Sequence, residues 1–124
     1  MSTTAFVLFG HGARDPQWGD SMRRVATALR EHAPEQRVEL AFLEFIAPDL
    51  AACVEALIVE GYRRLLIVPL FIAQGGHLKN DVPRLIDALR ARHPAVELVL
   101  VPPVGEAESV VQAMAAHVAT LARN

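Results

Sequence analysis

The sequence predicts an α/β domain built on a four-stranded parallel sheet with helices on both faces. Four short apolar runs alternate along the chain with four longer segments whose apolar residues recur at helical spacing. Strands separated by helices are joined by right-handed crossovers, which make the sheet parallel. The 124 residues, 52% hydrophobic and 21% charged, predict one domain over residues 1–124.

The predicted strands are nearly continuous apolar runs bounded by turn residues, which is typical of strands buried on both faces. These runs span residues 5–9, 38–43, 65–68 and 96–101. We expect the strand order 2-1-3-4, which is that of a flavodoxin-like domain of half the usual size.

Each predicted helix carries apolar residues on one face, at intervals of three or four positions. In chain order the four stripes are Trp18, Met22, Val25, Ala26 and Leu29; Leu50, Val54, Leu57 and Ile58; Val82, Leu85, Ile86 and Leu89; and Val110, Met114, Val118 and Leu121.

Proline and glycine predict where three of these helices end. Pro34 and Pro94 follow the first and third helices, where proline stops helical hydrogen bonding. Gly61 occupies the position at which glycine commonly ends a helix, after the second stripe.

Helix starts are predicted from proline and from capping residues. Pro48 suits the first turn of the second helix, where a missing N–H costs nothing. Asn80 or Asp81 is expected to cap the third helix, with Pro83 just inside it.

Composition and charge exclude several classes of function. Lys plus Arg number 12 and Asp plus Glu number 14, so no basic excess exists for nucleic acid binding. No apolar run approaches the roughly 18 to 20 residues that span a bilayer. The first residues lack the basic segment of a signal peptide. Cys53, the single cysteine, cannot form an internal disulfide, which predicts a reducing cytoplasm.

The chemically active side chains are expected at one edge of the sheet, because open parallel sheets bind ligands beyond the carboxyl ends of their strands. His11 follows the first predicted strand, Glu44 the second, residues 74–77 the third and residues 102–105 the fourth. Two histidines, His11 and His77, and one carboxylate therefore belong to this edge.

Two neutral imidazoles and a carboxylate suit a divalent cation such as Fe²⁺, Co²⁺, Ni²⁺ or Zn²⁺. His11, His77 and Glu44 would leave a coordination position open, which fits catalysis or transfer better than a structural site. Gly10 and Gly76, beside the two histidines, allow a bulky ligand to approach the backbone.

Other interpretations of the same residues remain open. His11 can cap a turn, Glu44 can be a solvated charge, and His32, His93 and His117 are expected at the surface. A dinucleotide site is disfavoured because Asp15 stands where a third glycine is needed. Neither a P-loop nor a Gly-x-Ser-x-Gly nucleophile elbow is present. A histidine phosphatase using His11 near Arg14 would want a larger basic pocket.

Four segments of the chain form a recognisable set: HGARDP at 11–16, FLEF at 42–45 with Pro48, VPLFIAQGGH at 68–77 with DVP at 81–83, and PVG at 103–105. Together they resemble the class II tetrapyrrole chelatases, and in length the chain is similar to the short sirohydrochlorin chelatases of the CbiX type. The match extends over essentially the whole chain, and the third segment is the most specific. Ala13 departs from the serine usual in the family.

The resemblance implies ATP-independent insertion of Co²⁺ or Fe²⁺ into sirohydrochlorin, on the way to cobalamin or sirohaem. It implies that His11 and His77 handle the metal and that Glu44 is the active-site carboxylate. No permanently bound cofactor is expected, since the divalent metal is a substrate, and Ni²⁺ is a further candidate for it. Short members of the family are expected to pair as homodimers.

Arg14 and Lys79 lie near the two histidines in sequence and could bind the substrate's carboxylates. Alternatively, they are ordinary solvated cations. Leu70, Phe71 and Ile72 could form an apolar wall that presses the macrocycle out of plane. Two other functions remain open for the chain: a non-catalytic carrier of metal or tetrapyrrole, and a metal-independent hydrolase.

Overall fold

A computed structural model describes residues 3–73 and 75–123, with the backbone alone for residues 16 and 76–78. Gln74 lies outside the described residues. The strands are β1 (Thr4–Gly10), β2 (Arg37–Phe42), β3 (Arg64–Pro69) and β4 (Glu97–Leu100). The helices are α1 (Asp20–His32), α2 (Leu50–Val59), α3 (Gly76–Arg92) and α4 (Glu108–Leu121). Two short 3-10 helices, Pro16–Gly19 and Val104–Glu106, precede α1 and α4.

The four strands form one parallel sheet in the order β2-β1-β3-β4, which confirms the predicted fold class and strand order. At the carboxyl edge Gly10 is aligned with Phe42, and Phe9 is aligned with Pro69. The chain therefore leaves β1, β2 and β3 at nearly the same level, which brings their following loops together.

The two faces of the sheet are covered unequally. The larger core lies on the face that α2 and α3 cover, and it includes Val7, Ile67, Leu57 and Ile86, all with at most 1% exposure. On the other face, the smaller core centres on α1 and the strands nearest to it. Its buried members are Leu8, Met22, Ala26, Val38 and Phe42.

Helix α4 is present where the sequence predicts it, but its apolar stripe is not covered. No residue of α4 is buried, and its principal contacts are with the 3-10 helix before it. Val111, Met114, Val118 and Leu121 are between 38% and 62% exposed. The apolar pattern therefore predicts the helix correctly, but the described residues provide no surface that covers its apolar stripe.

Two of the predicted helix starts are wrong. The Asp49 carboxylate accepts a hydrogen bond from Ala52 N–H at 2.8 Å, so Asp49 caps α2 and Pro48 precedes the helix. Helix α3 begins at Gly76, so Asn80, Asp81 and Pro83 all lie inside it.

The early start of α3 has a physical explanation. Gly75 is extended, and its carbonyl accepts the N–H of Lys79 at 3.0 Å as the first helical hydrogen bond. Pro83 removes one later bond, and burial of Val82 and Ile86 on the same helix offsets that loss.

Trp18 does not begin α1, contrary to the prediction. It lies in the 3-10 helix Pro16–Gly19, which the Asp15 carboxylate caps by accepting Gln17 N–H at 2.9 Å. Its indole packs edge-on against Phe42, with ring centroids 6.4 Å apart. Met22 is consequently the first buried residue of the α1 stripe.

The predicted helix ends are confirmed. Helices α1 and α3 end at His32 and Arg92, two residues before Pro34 and Pro94. Gly61 has φ +106 and donates its N–H to Ile58, while Tyr62 N–H donates to Leu57, at 3.0 and 3.1 Å. This paired arrangement is a Schellman motif, which favours glycine because of the positive φ.

Ion pairs occupy the amino edge of the sheet. Arg37 at the start of β2 binds Glu60 with two hydrogen bonds and Glu39 with one, and Arg64 of β3 binds Glu97 of β4. The bonds to Glu60 raise the pKa of Arg37 above its already high ordinary value. No helix among the described residues is long and apolar enough to cross a membrane.

We predict that Cys53 makes stability fall at alkaline pH. Burial raises the pKa of its thiol from 9.0 to about 11, so between these values only the unfolded chain ionises. The free energy of unfolding should then decrease by up to about 1.4 kcal/mol per pH unit. Urea titrations from pH 8 to pH 11 of wild type and Cys53→Val measure the difference, and equal slopes in both proteins would contradict the prediction.

Candidate active site

The loops after β1 and β2 are joined through their backbones. Leu43 N–H donates to the Gly10 carbonyl at 2.9 Å, and Glu44 N–H donates to the His11 carbonyl at 3.0 Å. These bonds continue the pairing of the two strands one step beyond their ends. Two of the predicted site residues, His11 and Glu44, are therefore neighbours by backbone geometry.

Gly12 allows this close approach. Its φ is +86, and a Cβ atom there would lie 1.8 Å from the Glu44 carbonyl oxygen. A side chain would collide with backbone, which cannot rotate away as a flexible side chain can. The second glycine of the Gly-His-Gly sequence is thus required for contact between the two loops.

Phe45 adopts a backbone conformation that is rare for a bulky residue. Its φ is +69 and its side chain is exposed, while Ile46 N–H turns back to donate to the Glu44 carbonyl at 2.9 Å. Such conformations cost about 1 to 3 kcal/mol and are concentrated at functional sites. The Arg14 guanidinium carbon lies 5.0 Å from the centre of the Phe45 ring, within cation–π range.

The His11 imidazole packs on a buried aromatic ring. Its centroid lies 4.3 Å from that of Phe71, and the two planes are inclined by 37°. Phe71 is 4% exposed and in turn contacts Phe9, at 6.0 Å between centroids. His11 itself is exposed. The buried Phe71 therefore supports the imidazole, while His11 remains accessible to solvent.

The carboxylate of Glu44 is exposed at the same edge. In the described part of the chain it accepts no side-chain hydrogen bond and forms no ion pair. Its lone pairs remain available to a cation or to a proton.

His77 is the second residue of α3, in the segment that follows β3, whereas the sequence predicts it in the loop before the helix. Its imidazole lies outside the described side chains, as does any contact of Gly76. Among the side chains that are described, no three His, Cys, Asp or Glu groups could hold a metal ion. The set of His11, Glu44 and His77 therefore stays a prediction.

Lys79, the only lysine of the chain, is exposed beside a groove at the carboxyl end of β4. The groove has a volume of about 520 Å³, and Lys79, Pro83, Pro102 and Glu106 contribute to its lining. Arg14 is exposed beside Phe45, on the loop that follows β1. Both predicted carboxylate-binding cations are thus on loops or helix starts of the carboxyl edge.

Gly10 and the apolar wall require reinterpretation. Gly10 is buried, and a Cβ there would lie 2.2 Å from the Sδ atom of Met22, so packing of α1 alone explains this glycine. Phe71 is buried beneath His11 and cannot present its face to a ligand. Of the predicted wall, Ile72 is 74% exposed and Leu70 is half-buried.

The sequence did not reveal two features of the site: the stacking of His11 on Phe71, and the unusual backbone of Phe45. The first depends on contact between residues far apart in the chain. The second has no composition signal, because glycine or asparagine normally marks a positive φ.

Comparison with known proteins gives consistent matches. The family model CbiX matches residues 5–121. The sirohydrochlorin cobaltochelatase of Methanococcus aeolicus is 35% identical over 66% of this chain and 57% of its own length. That of Saccharolobus islandicus is 31% identical, covering 84% of both chains. This chain spans 57% and 62% of the first two curated relatives that it matches.

Solved structures share the fold. The putative cobalamin biosynthesis CbiX protein of Marinobacter aquaeolei VT8 superimposes with a TM-score of 0.86 at 30% identity, covering 98% of this chain and 99% of that one. SirB from Bacillus subtilis with Fe³⁺ gives a TM-score of 0.76 at 28% identity. The match covers 91% of this chain and 44% of SirB.

We predict that Gly12→Ala is more destabilising than Gly61→Ala. Both positions have positive φ, but a Cβ at Gly61 meets nothing within 4 Å, whereas one at Gly12 meets the Glu44 carbonyl. Gly61→Ala should cost about 1 kcal/mol, and Gly12→Ala at least about 1 kcal/mol more, because backbone must move. Urea unfolding of the two variants tests this, and equal losses would show that the loops are not in contact.

Proposed function

Because the chain belongs to the CbiX family, we propose that it is a sirohydrochlorin chelatase, which inserts Co²⁺ or Fe²⁺ into the metal-free macrocycle without ATP. The family match over residues 5–121 carries the proposal. The names of its relatives supply the substrate, and solved SirB structures hold Fe³⁺ or cobalt. The product would enter cobalamin or sirohaem synthesis.

Insertion exchanges one metal ion for two protons of the macrocycle. The ion must lose bound water, and two pyrrole N–H groups must lose their protons as the four ring nitrogens become ligands. An exposed imidazole can replace water on the ion, and imidazoles and carboxylates can accept protons near neutral pH. We assign these roles to His11, His77 and Glu44.

The geometry around His11 supports its assignment. Phe71 supports one face of the imidazole, and the backbone bond from Glu44 to the His11 carbonyl restricts the loop. An imidazole restricted in this way would hold the metal ion in position before the macrocycle binds. The ion and the ring would then need less reorientation during transfer. Glu44, which binds no described cation, would hold the metal or pass the released protons to solvent.

Arg14 and Lys79 would bind the carboxylates at the edge of the macrocycle. Both are exposed cations at the carboxyl edge of the sheet, and neither forms an ion pair within the described residues. Ile72, which is largely exposed, would contact the flat face of the ring. Gly76, at the start of α3, would leave room for the ligand beside His77.

We further propose that the protein is a cytoplasmic homodimer. Cys53 is free and buried, as a reducing compartment permits. The uncovered apolar stripe of α4 requires a partner surface, and a second copy of the chain would supply one.

An absorbance assay distinguishes the proposed function from its alternatives. Purified protein is mixed with sirohydrochlorin and Co²⁺ or Fe²⁺, and the metallated spectrum is followed against a protein-free reaction. Acceleration supports a chelatase, and binding without acceleration indicates a carrier. Hydrolysis of a model ester that persists in chelator, with no acceleration of insertion, would indicate a hydrolase.

We predict that His11→Ala and His77→Ala each lower the insertion rate at least about 100-fold, because each removes a group that handles metal or protons. Glu44→Gln should lower it by at least about 10-fold. His32→Ala is the matched control, since His32 lies at the end of α1 and bonds the Ala28 carbonyl. Near-wild-type turnover of both histidine variants at limiting metal would refute the roles of His11 and His77.

We predict that Arg14→Gln and Lys79→Gln each raise KM for the macrocycle about 2- to 5-fold while kcat changes little, because exposed charge pairs contribute up to about 1 kcal/mol. Raising the salt concentration should increase KM of the wild type and reduce its difference from the variants. Arg84→Gln, on the exposed part of α3, serves as the control. If KM stays unchanged at low salt, these cations do not bind the substrate.

A further inference from the structure

Phe45 occupies a backbone conformation that suits other residues better. Its φ of +69 lies in the left-handed region, which glycine and asparagine adopt far more readily than an aromatic residue does. A phenylalanine is nevertheless present where asparagine would fit with less strain. The ring itself therefore needs an explanation.

The neighbours of Phe45 restrict its backbone on both sides. Glu44 N–H donates to the His11 carbonyl at 3.0 Å, and Ile46 N–H donates to the Glu44 carbonyl at 2.9 Å. Ile46 also packs against the smaller core. A change of φ at residue 45 would disturb these contacts, so the backbone holds the Phe45 side chain in a defined direction.

Packing in the core does not explain the ring. Phe45 is 58% exposed, and among the described residues neither the larger nor the smaller core includes it. A single exposed apolar residue is ordinary on a protein surface. At Phe45, however, the exposure coincides with an unfavourable φ, and conformations of this kind are concentrated at functional sites. The two observations together indicate that the ring contacts a ligand.

Arg14 gives the exposed ring a charged neighbour. Its guanidinium carbon lies 5.0 Å from the centre of the Phe45 ring, so the cation lies over one face of the ring and leaves the other face open. Arg14 forms no ion pair within the described residues, so its N–H donors remain available to an anion. Phe45 and Arg14 thus present an aromatic surface and a cation side by side.

We propose that Phe45 is a substrate-binding residue, whose open face contacts the flat face of the macrocycle while its other face holds Arg14 near a carboxylate at the rim. This inference rests on the proposed function and assigns a further residue to its site. A flat aromatic ring and a guanidinium match a ligand that has a broad π surface and peripheral carboxylates. Because Phe45 directly follows Glu44, whose N–H is bonded to His11, a macrocycle on the ring would lie beside both groups.

The first test measures the binding of metal-free sirohydrochlorin by absorbance titration, together with KM and kcat for insertion. Phe45→Asn should raise Kd and KM on the order of 10-fold while kcat changes little, because it removes the stacking surface. Phe45→Tyr keeps the ring and should stay within about 2-fold of wild type. Val59→Asn is the control, since Val59 is 87% exposed at the end of α2 that leads toward the amino edge.

Unchanged Kd in Phe45→Asn, or an equal loss in Phe45→Tyr, overturns the proposal. Thermal unfolding of the same variants separates a role in binding from a role in folding. Phe45→Asn should not lower the unfolding midpoint, because asparagine accepts a positive φ. A lower midpoint with unchanged binding would mean that the ring serves the fold. If Phe45→Asn does not fold, Phe45→Leu, which keeps an apolar side chain without the ring, should still weaken binding.

Salt separates the contribution of the ring from that of the cation. At about 1 M sodium chloride, charges are screened beyond about 3 Å, so the effect of Arg14→Gln on Kd should vanish while most of the effect of Phe45→Asn remains. At low salt, the double variant should lose less affinity than the product of the two single losses, because Phe45 holds Arg14. Full loss of the Phe45→Asn effect in salt, or independent effects at low salt, contradicts the arrangement.

The titration and the insertion assay together separate this inference from the proposed function. A wild type that binds the macrocycle through Phe45 without accelerating insertion would refute the function and leave the role of Phe45 standing. A wild type that inserts metal, with KM unchanged in Phe45→Asn, would refute the role of Phe45 alone. A wild type that neither binds nor inserts would refute both.

Discussion

The contact between the loops after β1 and β2 determines the geometry of the candidate site. The bond from Glu44 N–H to the His11 carbonyl joins two loops. It depends on the sheet, because the parallel alignment of Gly10 with Phe42 brings both loops to the same level. It also depends on Gly12, whose missing side chain leaves space for the Glu44 carbonyl. His11 and Glu44, which belong to separate segments, thereby become neighbours through their backbones.

The same edge shows how a buried core residue supports an exposed functional one. Phe71 is part of the larger core, yet its ring lies beneath His11 and its carbonyl holds Gly105. Three segments of the chain, those after β1, β3 and β4, therefore meet at this one residue, through its ring and its carbonyl. Phe71 therefore has two roles: its apolar side chain packs in the larger core, and its ring supports His11. Composition alone does not distinguish these roles.

The sequence predicts the parts of this fold that depend on local pattern. Buried strands appear in the sequence as continuous apolar runs. The end of α2 is marked by Gly61, because the positive φ at that position favours glycine. The start of α3 could not be predicted in this way. Asn80 and Pro83 are ordinary signals of a helix start, whereas the bond from Lys79 to Gly75 forms one turn earlier and is stabilised by packing of the whole helix. The stripe of α4 predicts a helix, but nothing in its spacing indicates whether the surface it packs on belongs to the same chain.

The ion pairs of the sheet and the residues of the candidate site lie at opposite ends of the strands. Arg37 with Glu39 and Glu60, and Arg64 with Glu97, tie together the amino edge. At the carboxyl edge, Glu44 and Arg14 have no such partners among the described residues. The exposed side chains of Glu44 and Arg14 can therefore change during evolution at little cost to the scaffold, so under the proposed function metal preference would be free to diverge between descendants that retain one architecture.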